Sequence, residues 1–336
     1  MKPITIIGGG IAGLATGIAL RQRAIPVTLL EAQSYPRHKV CGEFLHGSGL
    51  KSLEELELNP ASLGIPIETI SFHHRGRSSA ATDLPSAGVA IARFAFDCAL
   101  ADKFVKLGGN LRCHTRAPMT QADDGCVRAT GRKLRRATKW KWYGLKAHAS
   151  NVPLEADLEL HLANNGYIGL CRLSGNRVNV CGLFRRRTDA RERNLVPVEH
   201  FVTAPSLHER LRHAQWQEDS FVAVSGLPIG ETVEISDSFS VGDAFSMIPP
   251  FTGNGMSIAI ESAVLAAKPL EGYARGELSW QEATQAFHGA SATTFSRRIA
   301  AANLSQKLLN SALCQQLFVR TADHISLWQR VFEMTR

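Results

Sequence analysis

Apolar and polar positions divide the chain into blocks of different period. Ile4 to Ile7 is a short, mostly apolar, β-branched run, the pattern of a strand buried in a parallel sheet. Leu14, Ile18 and Ala19 then share one helical face as far as about Arg23, and Val27 to Leu30 forms a second apolar run. Further segments read as strands: Ile67 to His73, Val89 to Ala92, Trp142 to Ala149, Leu154 to Leu162, Tyr167 to Leu173 and Arg177 to Phe184. The last four are short, evenly spaced and separated by Asn, Gly, Ser and Pro, which predicts a β-meander. A helix is predicted from the segment opening at Ile91 to about Leu107, closed by Gly108-Gly109-Asn110, with a strand at Leu111 and Cys113. Beyond residue 271 the helical period dominates, in Trp280 to Phe287, Ala290 to Leu309 and Ala312 to Val331.

The first strand and first helix are joined by Gly8-Gly9-Gly10-Ile11-Ala12-Gly13. In a G-x-G-x-x-G of this kind Gly8 permits the tight turn, Gly10 admits a pyrophosphate to the backbone, and Gly13 lets helix and strand pack closely. The helix N-terminus stabilises the phosphates. Glu31 closes the second strand, 18 residues beyond Gly13, where an acid accepts hydrogen bonds from ribose hydroxyls. Strand, turn, helix, strand and acid together predict a site for a dinucleotide with an unphosphorylated ribose, FAD or NAD. The same stretch, uncharged from Pro3 to Leu20 behind Lys2, superficially reads as a signal or membrane segment. Five glycines and the lack of a cleavage pattern after Leu20 argue against that, and Glu261 interrupts the apolar stretch near residue 260.

Composition adds class and partners. With 336 residues, 44% hydrophobic and 20% charged, the chain suits about two globular domains. Thirty-eight Lys and Arg against 30 Asp and Glu leave +8, which bears on partners rather than fold. The excess is concentrated. Arg128, Arg132, Lys133, Arg135, Arg136, Lys139 and Lys141 stand in 128–141 with no acid, beside Trp140 and Trp142, and Arg185-Arg186-Arg187 forms a second cluster. No nucleic-acid motif accompanies them, so no nucleic-acid partner is expected. A solvated face is the plainest reading; an acidic carrier protein, a phosphopantetheine-linked substrate or an anionic membrane are the alternatives. The seven cysteines include no C-x-x-C pair, so neither a disulfide framework nor a metal site is expected. A reducing cytoplasm suits them, with peripheral membrane association as a second option and no transmembrane segment.

Two further fragments carry a resemblance. Gly242-Asp243 ends a short apolar run, Pro250-Phe-Thr-Gly-Asn-Gly-Met256 follows, and a helix opens near Gly255. This resembles the second flavin motif of the geranylgeranyl-reductase-like and aromatic-ring-hydroxylase superfamily of FAD enzymes. Arg37-His-Lys-Val-Cys-Gly-Glu-Phe-Leu45 is similar to a K-V-C-G-E-F-L segment of the reductase-like branch. The resemblance implies FAD as cofactor and an α/β fold. In it a three-layer Rossmann-type FAD-binding domain (1–45, 85–137 and 235–270) is interleaved with an antiparallel substrate sheet (46–84 and 138–234), and a C-terminal helical segment (271–336) follows. It implies flavin contacts from Lys39, Val40, Cys41, Arg93, Thr130 and Gly131. Asp243, next to Gly242, would meet the ribityl chain. Pro250, Gly253, Asn254, Gly255 and Met256 would face the pyrimidine end of the ring, where a helix N-terminus stabilises an anionic reduced flavin. Cys41 also reads as an inert packing residue, and Arg93 as a solvated helix-end charge.

The departures matter as much. Ala129-Thr130-Gly131-Arg132 replaces the Asp-Gly that couples the hydroxylases to NADPH, so NAD(P)H as direct donor is not supported. Tyr167-Ile-Gly169-Leu-Cys171-Arg172 lacks the aromatic pattern of prenyl-chain reductases, so that reaction is not carried over. Asn254 stands where the reductase branch has Glu, and the hydroxylase G-D-A-A-H loses its His in Gly242-Asp243-Ala244-Phe245-Ser246. The expected activity is an FAD-dependent oxidoreductase transferring hydride through flavin N5 to or from a small, largely apolar metabolite, free or carrier-bound. The alternatives are a monooxygenase working through a C4a-hydroperoxide and a non-enzymatic flavin carrier or sensor. Candidate proton-shuttling side chains are His46, Lys146, His148 and Tyr167; Lys146 and His148 share one strand face by period two.

Overall fold

The computed structural model describes residues 1–117, 123–132, 140–163, 165–187, 205–227, 229, 238–322, 329 and 332–333. In chain order the strands are β1 (Ile4–Ile7), β2 (Val27–Leu30), β3 (Phe44–His46), β4 (Ile65–His74), β5 (Arg77–Ser78), β6 (Thr82–Ala90), β7 (Asn110–Arg112), β8 (Cys126–Arg128), β9 (Trp140–Ser150), β10 (Leu158–Ala163), β11 (Gly166–Leu173), β12 (Arg177–Arg187) and β13 (Gln215–Ser225). The helices are α1 (Ile11–Arg21), α2 (Ser48–Glu55), α3 (Pro60–Leu63), α4 (Arg93–Lys106), α5 (Pro205–Arg212), α6 (Gly255–Arg275), α7 (Trp280–Leu308) and α8 (Ala312–Thr321).

The apolar runs near the N-terminus pair as expected of a buried parallel sheet. Its order is β7-β2-β1-β8, and Ser240 bridges Arg128 in parallel beyond β8. Helix α1 packs on α4 and α6. Ile4, Ile6, Leu14, Ile18, Phe96 and Phe104 are fully buried there, one apolar core shared by sheet and helices.

The second sheet has the order β13-β9-β12-β11-β10-β4-β6-β3, with β5 beside β4. Its described pairs are antiparallel except β10 with β4. This corrects the meander predicted from spacing. β10, β11 and β12 do run as consecutive hairpins, but β9 pairs with β12 and not with β10. The reason lies at Asp157, just before β10. Its Oδ2 accepts from the backbone nitrogens of Glu68 and Thr69 at 3.1 and 3.2 Å and from the Thr69 hydroxyl at 3.0 Å, which seats β10 beside β4. Alternation along a strand determines which face is buried, not which strand lies next to it. β13 has little alternation to read, because its pairing shifts register between Gln217 and Val222.

In the C-terminal region, α7 runs without a break through Gly289, where two helices are predicted. One glycine in a helix costs about 1 kcal/mol. The Ser279–Glu282 capping box and the buried Phe287, Phe295 and Ala302 outweigh it. α7 is also tied to α6 by a buried bidentate pair, Arg298 with Glu261 at 2.6 and 3.0 Å. Of the predicted Ala312 to Val331 helix, the continuous described part ends at Thr321, and 323–328 lie outside the described residues.

The two faces of the second sheet differ. The outer face packs Ile168, Leu170, Val178 and Val180 against Leu207 and Leu211 of α5. Beside that core lies a buried polar network. Glu159 accepts from His161 at 2.9 Å and from Arg210 of α5, and the rings of His73 and His161 stack at 4.2 Å. Burial drives His73 down to about 4, helped by His161. The inner face carries the side chains of the candidate site.

Two outcomes follow from these buried charges. Glu261→Ala and Arg298→Ala should each lower unfolding free energy by about 3–5 kcal/mol, with the double variant losing less than the sum, read by urea denaturation. For His73, the unfolded chain binds more protons than the folded chain between its ordinary value of 6.5 and about 4. Stability should therefore fall as pH is lowered through that range, and His73→Asn should flatten the slope. His38, also depressed to about 4, keeps a residual slope in the variant.

Candidate functional site

The glycine turn is built for close backbone approach. Gly8 has φ +109°, and a side chain there would overlap the Ala129 carbonyl; a side chain at Gly13 would overlap the Gly8 carbonyl. Gly10 faces open space and is the N-cap of α1, with no side chain capping the first turn. The leading amides of α1 are therefore available to an anion. Glu31 is nearly buried. Its Oε2 accepts from Gly9 N at 2.7 Å, and its Oε1 from Gln33 N at 2.9 Å and Arg37 Nη1 at 2.7 Å. Burial pushes this carboxyl up, but Arg37 and the backbone donors outweigh it and hold it below the usual range.

The second motif is folded onto the first. Gly242, at φ +60°, donates to Ser262 Oγ at 2.9 Å, and a side chain on it would press on the Ala12 methyl. Burial raises the neighbouring Asp243 carboxyl, with Arg132 and Arg93 opposing. Gly253 closes the Pro250–Thr252 turn at φ +68°, and α6 begins at Gly255 beside open space, with no side chain capping it. Asn254 and Met256 are buried, while Thr130 is exposed and Gly131 has φ +75° with open space beside it. Lys39 is half-buried, and burial, Arg37 and Arg93 draw its ammonium below the ordinary value.

These loops and the inner face of the second sheet enclose one cavity. The space open to the centres of water-sized molecules is about 170 Å³, enough for a ligand rather than a single ordered water. Val40, Cys41, Arg132, Pro250 and Gly253 stand on one side, and Ile70, Phe72, Leu160, Tyr167 and Leu183 on the other. Phe251, Phe318 and Phe332 also line it. The wall is apolar apart from Arg132, Tyr167, Thr252 and the thiols of Cys41, Cys171 and Cys181. Burial raises all three thiols, which keeps them neutral and poorly nucleophilic. Cys41 therefore has the environment of a packing residue.

Behind Cys41 lies a charged cluster with Glu43 at its centre. Glu43 is fully buried and sits at φ +58°, an unusual backbone state for a residue with a side chain. Its Oε1 accepts from Arg93 N at 2.9 Å and pairs with Lys146 Nζ at 3.2 Å; its Oε2 meets His148 Nε2 at 2.7 Å. Lys146 donates to His38 Nδ1 at 3.0 Å, and the His38 ring stacks on Phe94. Burial pushes the Glu43 carboxyl up, but the His148 bond and Lys146 charge outweigh it and hold it low. Burial lowers Lys146 despite Glu43, and burial with Lys146 takes His38 down to about 4. Asn179 Nδ2 donates to the Cys41 carbonyl at 2.9 Å, fastening the same loop to β12.

The four proton-shuttle candidates thus separate. Tyr167 is on the cavity wall, edge-on to Phe251 at 5.3 Å, its phenol kept protonated by burial. Lys146 and His148 share a face as period two predicts, but they stand around Glu43 and not among the lining residues. His46 is buried between Phe44 and Phe332, and neither ring nitrogen has a hydrogen-bond partner among the described residues. Arg93 makes a bidentate pair with the buried Asp97 at 2.7 and 2.9 Å, so it is not a solvated charge. Glu43 was not among the residues singled out from sequence. Its one local signal is an acid between Gly42 and the apolar Phe44-Leu45, and its partners are far along the chain.

Outside the cavity, His73, Glu159 and His161 place ligand atoms within 4.8 Å of one another, a spacing that could hold a metal ion. Arg210 already engages the Glu159 Oε2 that would have to bind it. Of the basic 128–141 stretch, Lys133, Arg135, Arg136 and Lys139 lie outside the described residues. Arg185 of the second cluster stacks over Trp140 at 4.8 Å.

Removing the Glu43 carboxylate should release the 37–44 loop locally. Under native conditions, trypsin should cut after Lys39 at least ~10-fold faster in Glu43→Ala, since each 1.4 kcal/mol of lost local stability is about tenfold. Glu261→Ala, which lies outside the loop, should leave that cut unchanged.

Comparisons with known proteins bear on the fold that carries this site. Residues 6–40 match the NAD(P)-binding Rossmann-like domain family. The menaquinone reductase of Mycobacterium tuberculosis is 24% identical, over 80% of this chain and 76% of that protein. Among solved structures, a geranylgeranyl bacteriochlorophyll reductase-like protein from Thermoplasma acidophilum superposes with a TM-score of 0.76 at 17% identity, covering 99% of this chain and 96% of that one. The flavin-dependent brominase Bmp2 gives 0.74 at 16% identity, covering 99% and 93%. PqsL, a probable FAD-dependent monooxygenase from Pseudomonas aeruginosa, gives 0.69 at 17% identity, covering 96% and 100%. A Rossmann-type parallel sheet, a large mixed sheet and C-terminal helices make this the fold of the FAD-dependent oxidoreductases that the sequence motifs resemble.

Proposed function

We propose that the chain is an FAD-dependent oxidoreductase that dehydrogenates or reduces a small, largely apolar substrate. The observation that carries this reading is the cavity, bounded on one side by the flavin-motif loops and on the other by the inner face of the second sheet. The residues present fit FAD. The uncapped start of α1 beside the open Gly10 suits a pyrophosphate. The uncapped start of α6 beside the open Gly255 suits the electron-rich end of a flavin ring. When bound, FAD supplies hydride transfer through N5.

The chain's own groups then do three things. Phe44, Phe72 and Phe251 exclude water and favour an apolar body in the substrate. Tyr167 holds its proton and offers a hydrogen-bond donor to a substrate oxygen. Glu43, with Lys146 and His148, fixes the loop that carries Val40 and Cys41. An apolar molecule with a carbonyl-bearing ring, the class to which the name of the menaquinone reductase relative points, suits this wall. The basic 128–141 stretch as a docking site for an acidic carrier protein is a separate part of the proposal, motivated by the charge run in the sequence alone.

The test is anaerobic. Protein loaded with FAD is photoreduced with EDTA as the electron donor and mixed with menadione, and flavin absorbance is followed. Reoxidation without oxygen is expected, and Tyr167→Phe should slow it by roughly tenfold through loss of one buried hydrogen bond. Gly10→Val should prevent stable FAD retention. Reoxidation only when oxygen is admitted, with an oxygen atom found in the product, would replace this reading with the monooxygenase one.

A further inference from the structure

The C-terminal helices α7 and α8 present exposed apolar residues that neither the cavity nor the core explains. Across residues 301–322, the exposed residues are Leu304, Lys307, Leu308, Leu313, Leu317 and Arg320. The four leucines are 60%, 51%, 72% and 59% exposed. Leu304 and Leu308 are one turn apart on α7, and Leu313 and Leu317 one turn apart on α8. Large apolar side chains grouped in this way mark an interaction surface. The turn that joins α7 to α8 is fixed from behind. Gln315 donates to the Ala163 and Leu309 carbonyls at 2.8 and 2.7 Å, Arg185 donates to the Asn310 carbonyl at 3.0 Å, and Val319 is buried. The leucines are thus displayed by a packed scaffold.

Two observations say what covers them. From 290 to 322 the chain holds no acid and four basic residues; Arg298 is buried against Glu261, which leaves Arg297, Lys307 and Arg320 inside a chain of net charge +8. The same helix leads inward: Phe318 of α8 lines the cavity and meets Phe72 edge-on at 4.9 Å. We propose that the region around the α7–α8 turn is the face by which the protein binds an anionic lipid bilayer, with the four leucines inserted among the acyl chains and Lys307 and Arg320 at the headgroups. No helix among the described residues is long and apolar enough to cross a membrane, so the binding is peripheral. It puts an apolar cavity beside a phase in which apolar substrates dissolve. The binding depends on neither FAD nor the reaction.

The test is flotation of the full chain, with and without FAD, on vesicles of phosphatidylcholine alone or mixed with phosphatidylglycerol. The protein should float with the mixed vesicles and be released by salt. Combined Leu304→Ser, Leu308→Ser, Leu313→Ser and Leu317→Ser should weaken vesicle binding by roughly a hundredfold or more. Lys307→Gln with Arg320→Gln should weaken binding to mixed vesicles by roughly twentyfold and leave neutral vesicles unchanged. These side chains are exposed, so circular dichroism and thermal midpoint should match the parent. Absence of flotation, or flotation unaffected by the leucine changes, overturns the proposal. So does a dimer in sedimentation velocity that the serine variant dissociates while flotation is absent, which assigns the face to a second copy of the chain. Either failure leaves the redox reading intact, because menadione reoxidation needs no vesicle.

Discussion

A single buried carboxylate, Glu43, joins three parts of this protein. It accepts the leading amide of α4, pairs with Lys146, and meets His148 two residues further along β9. A carboxylate this deep would not be tolerated alone, because losing its hydration costs several kcal/mol. Two cationic or proton-donating partners and a backbone amide offset that cost only when all are in place. The loop from Arg37 to Phe44 consequently has one well-defined path between the two sheets. That path determines where Val40 and Cys41 form the cavity wall.

The wall so positioned is electrically quiet. Its thiols and its phenol are neutral, and the charge of the cationic Arg132 is felt by the nearby Asp243. In such a medium the few polar atoms present act strongly, since little water screens them. Charge is kept one layer back, where Glu43, Lys146 and His38 satisfy one another. This division lets a polar network hold an apolar chamber in shape without entering it.

The legibility of the structure in the sequence followed the range of the constraint. Gly8 and Gly13 could be read because the requirement for glycine is imposed by atoms a few residues away or by the turn itself. Lys146 and His148 could be assigned to one face because strand geometry alternates strictly. The position of β9 could not, because a strand's neighbour depends on contacts such as Asp157 with Thr69, 88 residues apart. Glu43 was invisible for the same reason: its closest contact, with His148, spans 105 residues. The continuous α7 was misread at Gly289 because a weak local preference was weighed without the buried packing that overrides it. The exposed leucines were also beyond reach, since a helix-rich tail shows its period but not which side the rest of the molecule covers.

The order in which the parallel sheet and its helices are assembled has a consequence for synthesis. α1, made from residues 11–21, meets α4 at 93–106, but its larger packing partner is α6, at 255–275, and Gly242 seats against Ala12 from a similar distance. A nascent chain emerging from the ribosome thus carries an unfinished Rossmann half for most of its translation. Contacts of this range are slow to close and leave apolar surface uncovered meanwhile. Truncated products that stop before α6 would lack the helix that packs most extensively on α1. Capture of a dinucleotide is therefore a late event, one that would seal the nearly finished fold rather than guide its beginning.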